Sequence, residues 1–532
     1  MAKLVKQNRP ADENKDLDPK SKLQRRTLLK TLVGIPVLGA FAYEVLQKSA
    51  YDAGKKVDKV LKEIGLENLN APTIVKSSPV NKGNLLRIGV VGFGNRAVAH
   101  ANGLGYMSPA DVETQKKRKT LDTWLAQDDL NVAVTGVCDV FDFHAENGLA
   151  TYRNPVRPGG AGIPLPVKRY RTYQEMIDDK DIDAIMISTP DFHHAEITLA
   201  AAKAGKHIYC EKAATHNMDE LYDVYNTVKN SKIVYQLGHQ ITQSVVFQQA
   251  KEVIKQNILG KITLIETTTN RNTADGAWIR NLDANGNPKP GDEKSIDWAQ
   301  WLGKTPKVPF SLDRYYNWTK WFAYDIGLLG QLFTHEFDAV NQLLGIGIPE
   351  SVMSSGGIYY WKDNREIPDV LHCVFQYPQK DLTLMYSASL ASSRERGRLF
   401  MGHDATMELG GSMVIKADTD STRYKDLIKS GKINPMVPMV AVGPGARSVD
   451  AITSATAKYY ISRGLGTTTI NGKEVDVTHL HIKEWINCIR NGGTPSCNIE
   501  KAWEEGVTCQ MANISYLEKR RVTWDAVNKK IV

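Results

Sequence analysis

The chain has 532 residues, of which 42% are hydrophobic and 24% are charged, and its formal net charge is +8. This composition excludes a disordered or fibrous protein and predicts a globular protein with more than one domain. The basic residues are scattered along the chain, so we expect no binding to nucleic acid. The six cysteines lack paired CxxC spacing, and we therefore predict neither a disulfide framework nor a metal site.

The N-terminal segment has the order of an export signal. A polar stretch is followed by Arg25 and Arg26, and then by a short apolar run over residues 31–41. Because a bilayer span needs about 20 apolar residues, we predict no integral membrane span. The adjacent arginines resemble a twin-arginine signal, so residues 1–43 predict export to the periplasm. A basic amphipathic helix in a cytoplasmic protein is the alternative, and residues 44–84 are typical of a linker.

A glycine-rich turn follows the first buried strand of the chain. The strand is predicted over residues 86–91, and the string Gly92-Phe93-Gly94-Asn95-Arg96-Ala97 has the GxGxxA spacing of a dinucleotide-binding turn. Gly92 permits a tight turn, and Gly94 allows the backbone to approach a pyrophosphate at the start of the next helix. Asn95 and Arg96 begin that helix, and we assign all four residues to cofactor binding.

An acidic residue ends the next predicted strand. Asp139 follows the strand over residues 132–138 and is placed to accept hydrogen bonds from a ribose diol. No arginine follows it immediately, which favours NAD over NADP. Asp139 comes more residues after the glycines than is usual, and we interpret the polar segment 108–129 as an insertion. A solvated aspartate at a strand end is the alternative interpretation.

Strands and helices then alternate, which predicts a parallel sheet. The predicted fold class is α/β, with a doubly wound Rossmann domain over residues 85–240. A second α+β domain with an open, largely antiparallel sheet is predicted over 241–480. Residues 481–532 are predicted to form C-terminal helices that pack back on the first domain.

Two strings at strand ends carry a resemblance to a known family. They are Ser188-Thr189-Pro190-Asp191-Phe192-His193-His194-Ala195 and Cys210-Glu211-Lys212-Ala213. With the glycine turn before them, they resemble the Gfo/Idh/MocA family of sugar and inositol oxidoreductases, although Ala213 replaces the usual proline. The resemblance implies a bound NAD, a carbohydrate substrate and sheets that often pair between subunits, hence a homo-oligomer. It adds these residues to the cofactor site: Thr189, Pro190, His194, Glu211 and Lys212.

The resemblance also implies the catalytic residues. In the family, a helix of the second domain carries Asp-x-x-x-His beside the lysine, and the corresponding residues here are Gln331 and His335. The i, i+4 spacing predicts that both side chains lie on one helix face. Lys212 and His335 can share the removal of a hydroxyl proton. Gln331 can only orient its neighbours by hydrogen bonds, which weakens the expectation of ordinary alcohol dehydrogenation.

Further residues are candidates for contact with the substrate. His239 follows the last strand of the first domain, where it could contact a substrate or cap the structure, and His194 could equally be a histidine at a helix start. Aromatic residues alternate with polar ones between residues 315 and 325, and they include Trp318 and Tyr324. Such a surface suits a sugar, whose C–H faces stack on rings. A core between the two domains is the alternative.

Export would constrain the chemistry, because soluble NAD is scarce outside the cytoplasm. We therefore expect a tightly held NAD that is reduced and reoxidised within one catalytic cycle. A sugar oxidoreductase that passes hydride from one substrate to another through the held NAD is one hypothesis. An NAD-dependent glycosidase or lyase that works by transient oxidation and elimination is a second, and a non-catalytic NAD- or sugar-binding protein is a third.

Overall fold

The protein is described here by a computed structural model, which covers residues 83–157, 165–275, 291–394, 396–442, 469–470 and 473–532. The predicted export signal and all but the last two residues of the predicted linker lie outside the described residues. Among the described residues, no helix has the length and apolar character needed to cross a bilayer.

The first half of the described chain contains a six-stranded parallel sheet. Its strand order is β3-β2-β1-β4-β5-β6, which is the order of a doubly wound dinucleotide-binding sheet, so the predicted fold class is confirmed. The strands are β1 (Leu86–Val91), β2 (Val132–Cys138), β3 (Lys168–Tyr170), β4 (Ala184–Ile187), β5 (His207–Cys210) and β6 (Tyr235–Leu237).

Helices connect these strands, as parallel neighbours require. The predicted insertion 108–129 is largely helical and contains two of them. The helices of this half are α1 (Asn95–Leu104), α2 (Pro109–Arg118), α3 (Leu121–Leu125), α4 (Asp142–Tyr152), α5 (Tyr173–Asp178), α6 (His194–Lys203), α7 (Met218–Lys229) and α8 (Val245–Lys255). Short 3-10 turns cover Asp191–His193 and Gln240–Gln243.

The second half is built on a ten-stranded sheet with the order β14-β13-β12-β11-β7-β10-β9-β8-β17-β18. Within the described part of this second sheet, β7–β10 is the one parallel pair, so the predicted open and largely antiparallel sheet is confirmed. The strands are β7 (Ile262–Asn270), β8 (Ser351–Gly357), β9 (Val370–Tyr377), β10 (Leu382–Ser389), β11 (Arg398–Gly402), β12 (Ala405–Leu409), β13 (Met413–Ala417), β14 (Val440–Val442), the separate pair β15 (Thr469–Ile470) and β16 (Lys473–Glu474), β17 (Val522–Asp525) and β18 (Lys530–Ile531).

The helices of the second half approach the first sheet at several points. They are α9 (Trp298–Leu302), α10 (Leu312–Tyr316), α11 (Thr334–Leu344), α12 (Lys425–Lys429), α13 (Val477–Asn491) and α14 (Ile499–Glu518). Two 3-10 turns, Trp318–Lys320 and Pro378–Lys380, and a π-helical turn, Leu329–Phe333, complete the set. Helix α14 packs against both α7 and β8, and thus touches elements of both halves.

Helix α13 completes the core of the first half. Its residues Ile482, Trp485 and Ile486 are fully buried in one apolar cluster with side chains of β1 and β2. Its His481 accepts a hydrogen bond from the Tyr209 hydroxyl on β5, at 3.0 Å. The last part of the chain therefore belongs to the same packed core as the dinucleotide-type sheet.

Candidate active site

A cavity of about 770 Å³ lies at the carboxyl ends of the parallel strands. Ligands bind at this edge in doubly wound sheets, and the volume is within the usual range for small-molecule sites. Both halves of the chain line it. The lining from the first half includes Gly92, Gly94, Asn95, Arg96, Asp139, Thr189, Pro190, Asp191, Glu211 and Lys212, and that from the second includes Trp301, Tyr315, Tyr316, Trp318 and Gln331.

The glycine turn is shaped for a close approach by a ligand. Gly92 has a φ of +84°, and a Cβ there would lie 2.8 Å from the carbonyl of Ser188. A Cβ at Gly94 would meet no described atom within 4 Å, so the backbone is open towards the cavity. Helix α1 begins directly after Gly94 without a side-chain cap, and its first N–H groups can therefore bind an anion such as a pyrophosphate.

Asp139 lies beside this turn and fixes its conformation. One carboxylate oxygen accepts a hydrogen bond from the N–H of Phe93 at 2.7 Å, and the other accepts from the N–H of Phe141 at 2.8 Å. Each carboxylate oxygen can accept more than one hydrogen bond, so a ribose diol can still bind. The carboxylate thus links the predicted diol site to the glycine turn.

Glu211 is the centre of a buried polar cluster. Its Oε1 contacts the Nε2 of His100 and accepts from the side-chain amide of Gln240, both at 2.8 Å, while Arg96 lies 3.6 Å from Oε2. Burial opposes the ionised form, but Arg96 and His100 outweigh it and hold the pKa of Glu211 well below its ordinary value. Gly238 leaves room for this carboxylate, since a Cβ there would lie 2.6 Å from it. Glu211 therefore holds Arg96 and helix α1 beside the cavity.

Lys212 follows Glu211 and projects towards the second half of the chain. The peptide bond between Lys212 and Ala213 is cis. The Lys212 amine donates to the backbone carbonyls of Gly330 and Gln331, at 3.4 and 3.2 Å. Lys212 is only 7% exposed, yet it lines the cavity. The lysine is therefore anchored to the π-helical turn that precedes helix α11.

Gln331 lies in that π-helical turn, whereas His335 lies in helix α11. The side-chain amide of Gln331 donates to the carboxylates of Asp191, at 2.9 Å, and Asp325, at 3.3 Å. The His335 ring instead contacts His239. The two residues thus have separate partners, and the prediction of a shared face assumed a regular α-helix where the structure has a π-helical turn.

Gln331 can bridge the two carboxylates only because it is a neutral donor. We expect Gln331→Glu to lower the free energy of unfolding by roughly 1–3 kcal/mol, because the new side chain accepts where an N–H donated. The two existing carboxylates, Asp191 and Asp325, would raise the pKa of the new one, so the loss of stability is fully present at pH 8 and shrinks as the pH falls towards 5. Urea unfolding at both pH values measures it, with the exposed Gln379→Glu as control. An equal loss at both pH values would contradict this explanation.

His335, His239 and Glu505 form a chain of contacts. The Nδ1 atoms of the two histidines are 3.0 Å apart, and the Nε2 of His239 lies 2.7 Å from the Oε2 of Glu505. Burial, together with the charges of His239 and Lys212, holds the pKa of His335 well below its ordinary value. Burial also opposes charge on His239, but Glu505 and Asp338 raise its pKa to about 9. At neutral pH the charged ring is therefore that of His239.

His194 does not line the cavity. Its Nδ1 faces the carbonyl of Ala213 at 2.6 Å, and its Nε2 faces the carbonyl of Thr189 at 2.9 Å. Because carbonyls only accept, both ring nitrogens donate when both hydrogen bonds form, which favours the protonated ring. His194 thus connects the Thr189-Pro190 turn, which lines the cavity, to Ala213, the residue after Lys212.

The sequence left two interpretations of the aromatic residues, a surface that contacts a ligand and a core between the two domains, and the structure has features of both. Trp318 and Tyr324 belong to one buried aromatic cluster that joins Phe141 and Phe192 of the first half to the second half. Trp318 nevertheless lines the cavity, whereas Tyr324 packs behind it against Trp301, with ring centroids 5.0 Å apart. Part of the cluster can therefore contact a ligand, and the rest supports it.

Several polar residues of this region were not anticipated from sequence. Asp191 stands within a quoted string and could have been considered for that reason. His100 lies one helical turn after the glycine-rich turn, on a helix where no motif singled it out. Asp325 ends the aromatic and polar stretch 315–325, but its hydrogen bond with Gln331 was not anticipated. Glu505 carries no local signal, because only the packing of distant segments brings it to His239.

Comparisons with known proteins agree with this geometry. The profile of an oxidoreductase family with an NAD-binding Rossmann fold matches residues 86–239. Levoglucosan dehydrogenase of Pseudarthrobacter phenanthrenivorans is 32% identical over 187 residues, which are 35% of this chain and 41% of the relative. The 2,7-anhydro-N-acetylneuraminate hydratase of Escherichia coli is 25% identical over 182 residues, or 34% and 38% of the two chains. These alignments span less than half of the relatives' length.

Solved structures extend the similarity of fold beyond the first half. Levoglucosan dehydrogenase in complex with NADH and levoglucosan superposes with a TM-score of 0.56 and 16% identity, over 83% of this chain and 99% of that one. The WlbA dehydrogenase of Chromobacterium violaceum, in complex with NADH and UDP-GlcNAcA, has a TM-score of 0.52 and 13% identity, over 85% and 99%. Both halves of the described fold therefore occur together in other proteins.

Proposed function

We propose that this protein is an NAD-dependent oxidoreductase acting on a sugar or sugar derivative, because residues 86–239 match the model of the Gfo/Idh/MocA oxidoreductase family. The observation that carries the proposal is the cavity, in which the open glycine turn, Lys212 and Trp318 share one space. NAD supplies the hydride acceptor when it is bound. The amides after Gly94 and the carboxylate of Asp139 are the groups that fit its pyrophosphate and ribose.

A side chain of the protein must accept the proton of the substrate hydroxyl. Lys212 lines the cavity at the end of strand β5, and its amine is held by the π-helical turn that leads into helix α11. His335 lies one turn further along and is neutral because its pKa is depressed. We propose that Lys212 and His335 share the removal of its proton; of the two, Lys212 lines the cavity, and His335 contacts His239.

A carbohydrate fits the aromatic and polar part of the cavity lining. Trp301, Tyr315, Tyr316 and Trp318 contribute aromatic surface to the lining, and Asp191 and Gln331 contribute polar groups. Aromatic rings and directed polar groups are the combination that binds sugars. The names of the relatives point the same way, since one acts on levoglucosan and another on an anhydro sugar acid.

We further propose that NAD stays bound to the protein and is reduced and reoxidised within each catalytic cycle. It follows from the proposed twin-arginine export of the chain to the periplasm, where soluble NAD is scarce. Transient oxidation followed by elimination, as in a redox-neutral glycosidase or lyase, is the second candidate. The relative named as a hydratase favours it, because water addition or elimination is redox-neutral overall.

The test is to purify the full chain without added cofactor, denature it and assay the released NAD. We expect close to one NAD per chain, and NAD absent from purified protein would contradict the retained cofactor. The native protein is then offered levoglucosan, myo-inositol and aryl glycosides. Accumulating NADH identifies a net dehydrogenase and overturns the recycling, whereas product without NADH identifies the redox-neutral reaction. No turnover of any sugar, with NAD bound, would indicate a binding protein.

A further inference from the structure

A segment of the second half crosses the edge of the first sheet beside the cavity. We call residues 291–303 the strap, and helix α9 is part of it. The strap pairs in antiparallel fashion with the loop after strand β2. The N–H of Asp297 donates to the carbonyl of Val140 at 2.8 Å, and the N–H of Asp142 donates to the carbonyl of Ser295 at 2.9 Å. The strap is thus joined to the chain directly after the predicted diol site.

Two further hydrogen bonds fasten the strap to other loops of the first half. The side-chain amide of Gln300 donates to the carbonyl of Arg171, in the loop after strand β3, at 3.1 Å. The Nε2 of His193, in the turn after strand β4, donates to the carbonyl of Trp301 at 2.7 Å. The strap therefore has contacts beyond the carboxyl ends of three neighbouring groups of the sheet: β3, β2 and β4.

The strap and the predicted nucleotide site line the same cavity. Asp297 and Gln300 of the strap belong to the lining, as do Asp139 and the loop residues Thr172 and Tyr173. In dinucleotide-binding sheets the acidic residue at the place of Asp139 binds the ribose of the adenosine half. The side chain of Asp139 is only 7% exposed, so the diol site faces the cavity and not open solvent. The strap is therefore a wall of the space that fits the adenosine half.

The strand order separates this wall from the proposed reacting end. Gln300 contacts the loop after β3, whereas Lys212 follows β5. In the order β3-β2-β1-β4-β5-β6, these two strands lie on opposite sides of β1. A cover at Gln300 can therefore hold a dinucleotide by its adenosine half while the region near Lys212 stays accessible to a sugar.

We propose that the strap is part of the NAD site, and that NAD leaves the protein only when the bond between Gln300 and the loop after β3 opens. The inference rests on the proposed function and deepens it, because it names the segment that retains the cofactor. Asp297 and Gln300 are positioning residues in this device. Asp297 accepts from the backbone N–H of Gln300 at 2.9 Å and from its side-chain amide at 3.3 Å, which directs that amide towards Arg171.

The opening can be local, because apolar packing holds the rest of the strap. Ile296, Trp301 and Leu302 are each at most 2% exposed, and they belong to one cluster with Phe141 and Phe192 of the first half. The side chain that makes the bond to the loop after β3 is by contrast partly exposed. Its replacement should therefore loosen the cover without unfolding the strap.

The first test measures how fast bound NAD exchanges. The full chain is purified with its NAD and mixed with an excess of ¹³C-labelled NAD, and mass spectrometry of the NAD released on denaturation gives the rate. Gln300→Ala should exchange about tenfold faster than the unmodified chain, because the closed strap loses one hydrogen bond. Asp297→Ala should also exchange faster. Glu293→Ala, which removes an exposed carboxylate of the same segment, is the matched control and should exchange at the unmodified rate.

The second test reads the opening of the strap itself. Hydrogen exchange of the NAD-loaded full chain, followed by mass spectrometry, should be faster in Gln300→Ala for peptides over residues 291–303 and unchanged for peptides over strand β1. Gln300→Leu keeps most of the bulk and loses only the donor, so it should show the same change and guards against misfolding of the alanine variant. Unchanged hydrogen exchange of the strap in both variants overturns the proposal.

The outcomes separate the strap from the proposed function. Bound NAD that exchanges equally fast in Gln300→Ala and in the unmodified chain overturns the strap and leaves the proposed function intact. Faster exchange in Gln300→Ala, in a protein that turns over no sugar, supports the strap and overturns the proposed oxidoreductase. A full chain that binds no NAD overturns both.

Discussion

Lys212→Met should abolish most turnover while the protein keeps its cofactor. The methionine retains the length of the side chain and removes only the amine, which contacts the carbonyls of Gly330 and Gln331 and lines the cavity. Loss of a group that shares in the removal of the hydroxyl proton lowers kcat by about 10²–10⁴-fold. The measurement is kcat on a converted sugar together with NAD released on denaturation.

The matched control for this variant is Lys203→Met, at an exposed position near the end of helix α6. It should leave both kcat and NAD content unchanged. A Lys212→Met protein with normal turnover would remove the lysine from the proposed mechanism. A variant without NAD would instead show that the lysine acts in cofactor retention.

The largest expected loss of stability comes from Glu211→Gln. This change removes a buried carboxylate and leaves His100 and Arg96 without their negative partner, which should cost about 3–5 kcal/mol in the free energy of unfolding. Because the folded pKa of Glu211 is depressed, its stabilisation is fully present above the ordinary value of 4.5 and is lost as the pH falls below it. The unmodified chain and Glu211→Gln should therefore differ less in free energy of unfolding at acidic pH than at pH 7.

Denaturant unfolding at pH 7 and pH 4 measures this effect. The control is Glu408→Gln on strand β12, where the side chain is exposed and a change within about 0.5 kcal/mol is expected. If Glu211→Gln and the unmodified chain had the same free energy of unfolding at pH 7, charge would not be what stabilises the cluster. The same variant should retain less NAD, since Arg96 and helix α1 lose their anchor.

Much of the first half could be predicted from its sequence, because the signals are local. A buried strand before GxGxxA, an acidic residue after the second strand and alternating helices are sufficient to predict a doubly wound sheet. The order of the two strand-end strings also placed Glu211 and Lys212 at the edge where the cavity lies. These residues lie where parallel strands end, and that position follows from topology alone.

The polar partners of the site could not be predicted in the same way. The spacing of Gln331 and His335 does not reveal that the chain forms a π-helical turn at Leu329–Phe333. The contact between His239 and His335 joins residues 96 apart, and Glu505 comes from the last helix of the chain. Such contacts depend on how the two sheets and helix α14 pack, for which a single sequence has no local pattern.

Helix α13 has a consequence for synthesis of the chain. The first sheet is complete in sequence at Leu237, but its apolar cluster includes Ile482 and Trp485. A ribosome adding about 5–20 residues per second needs roughly 12–50 s to make the intervening segment. During that interval the newly made strands lack the apolar side chains of α13 that later cover them. We therefore expect residues 86–239 on their own to expose apolar surface, and a chain released before α13 to be more easily cut by proteases than the full chain.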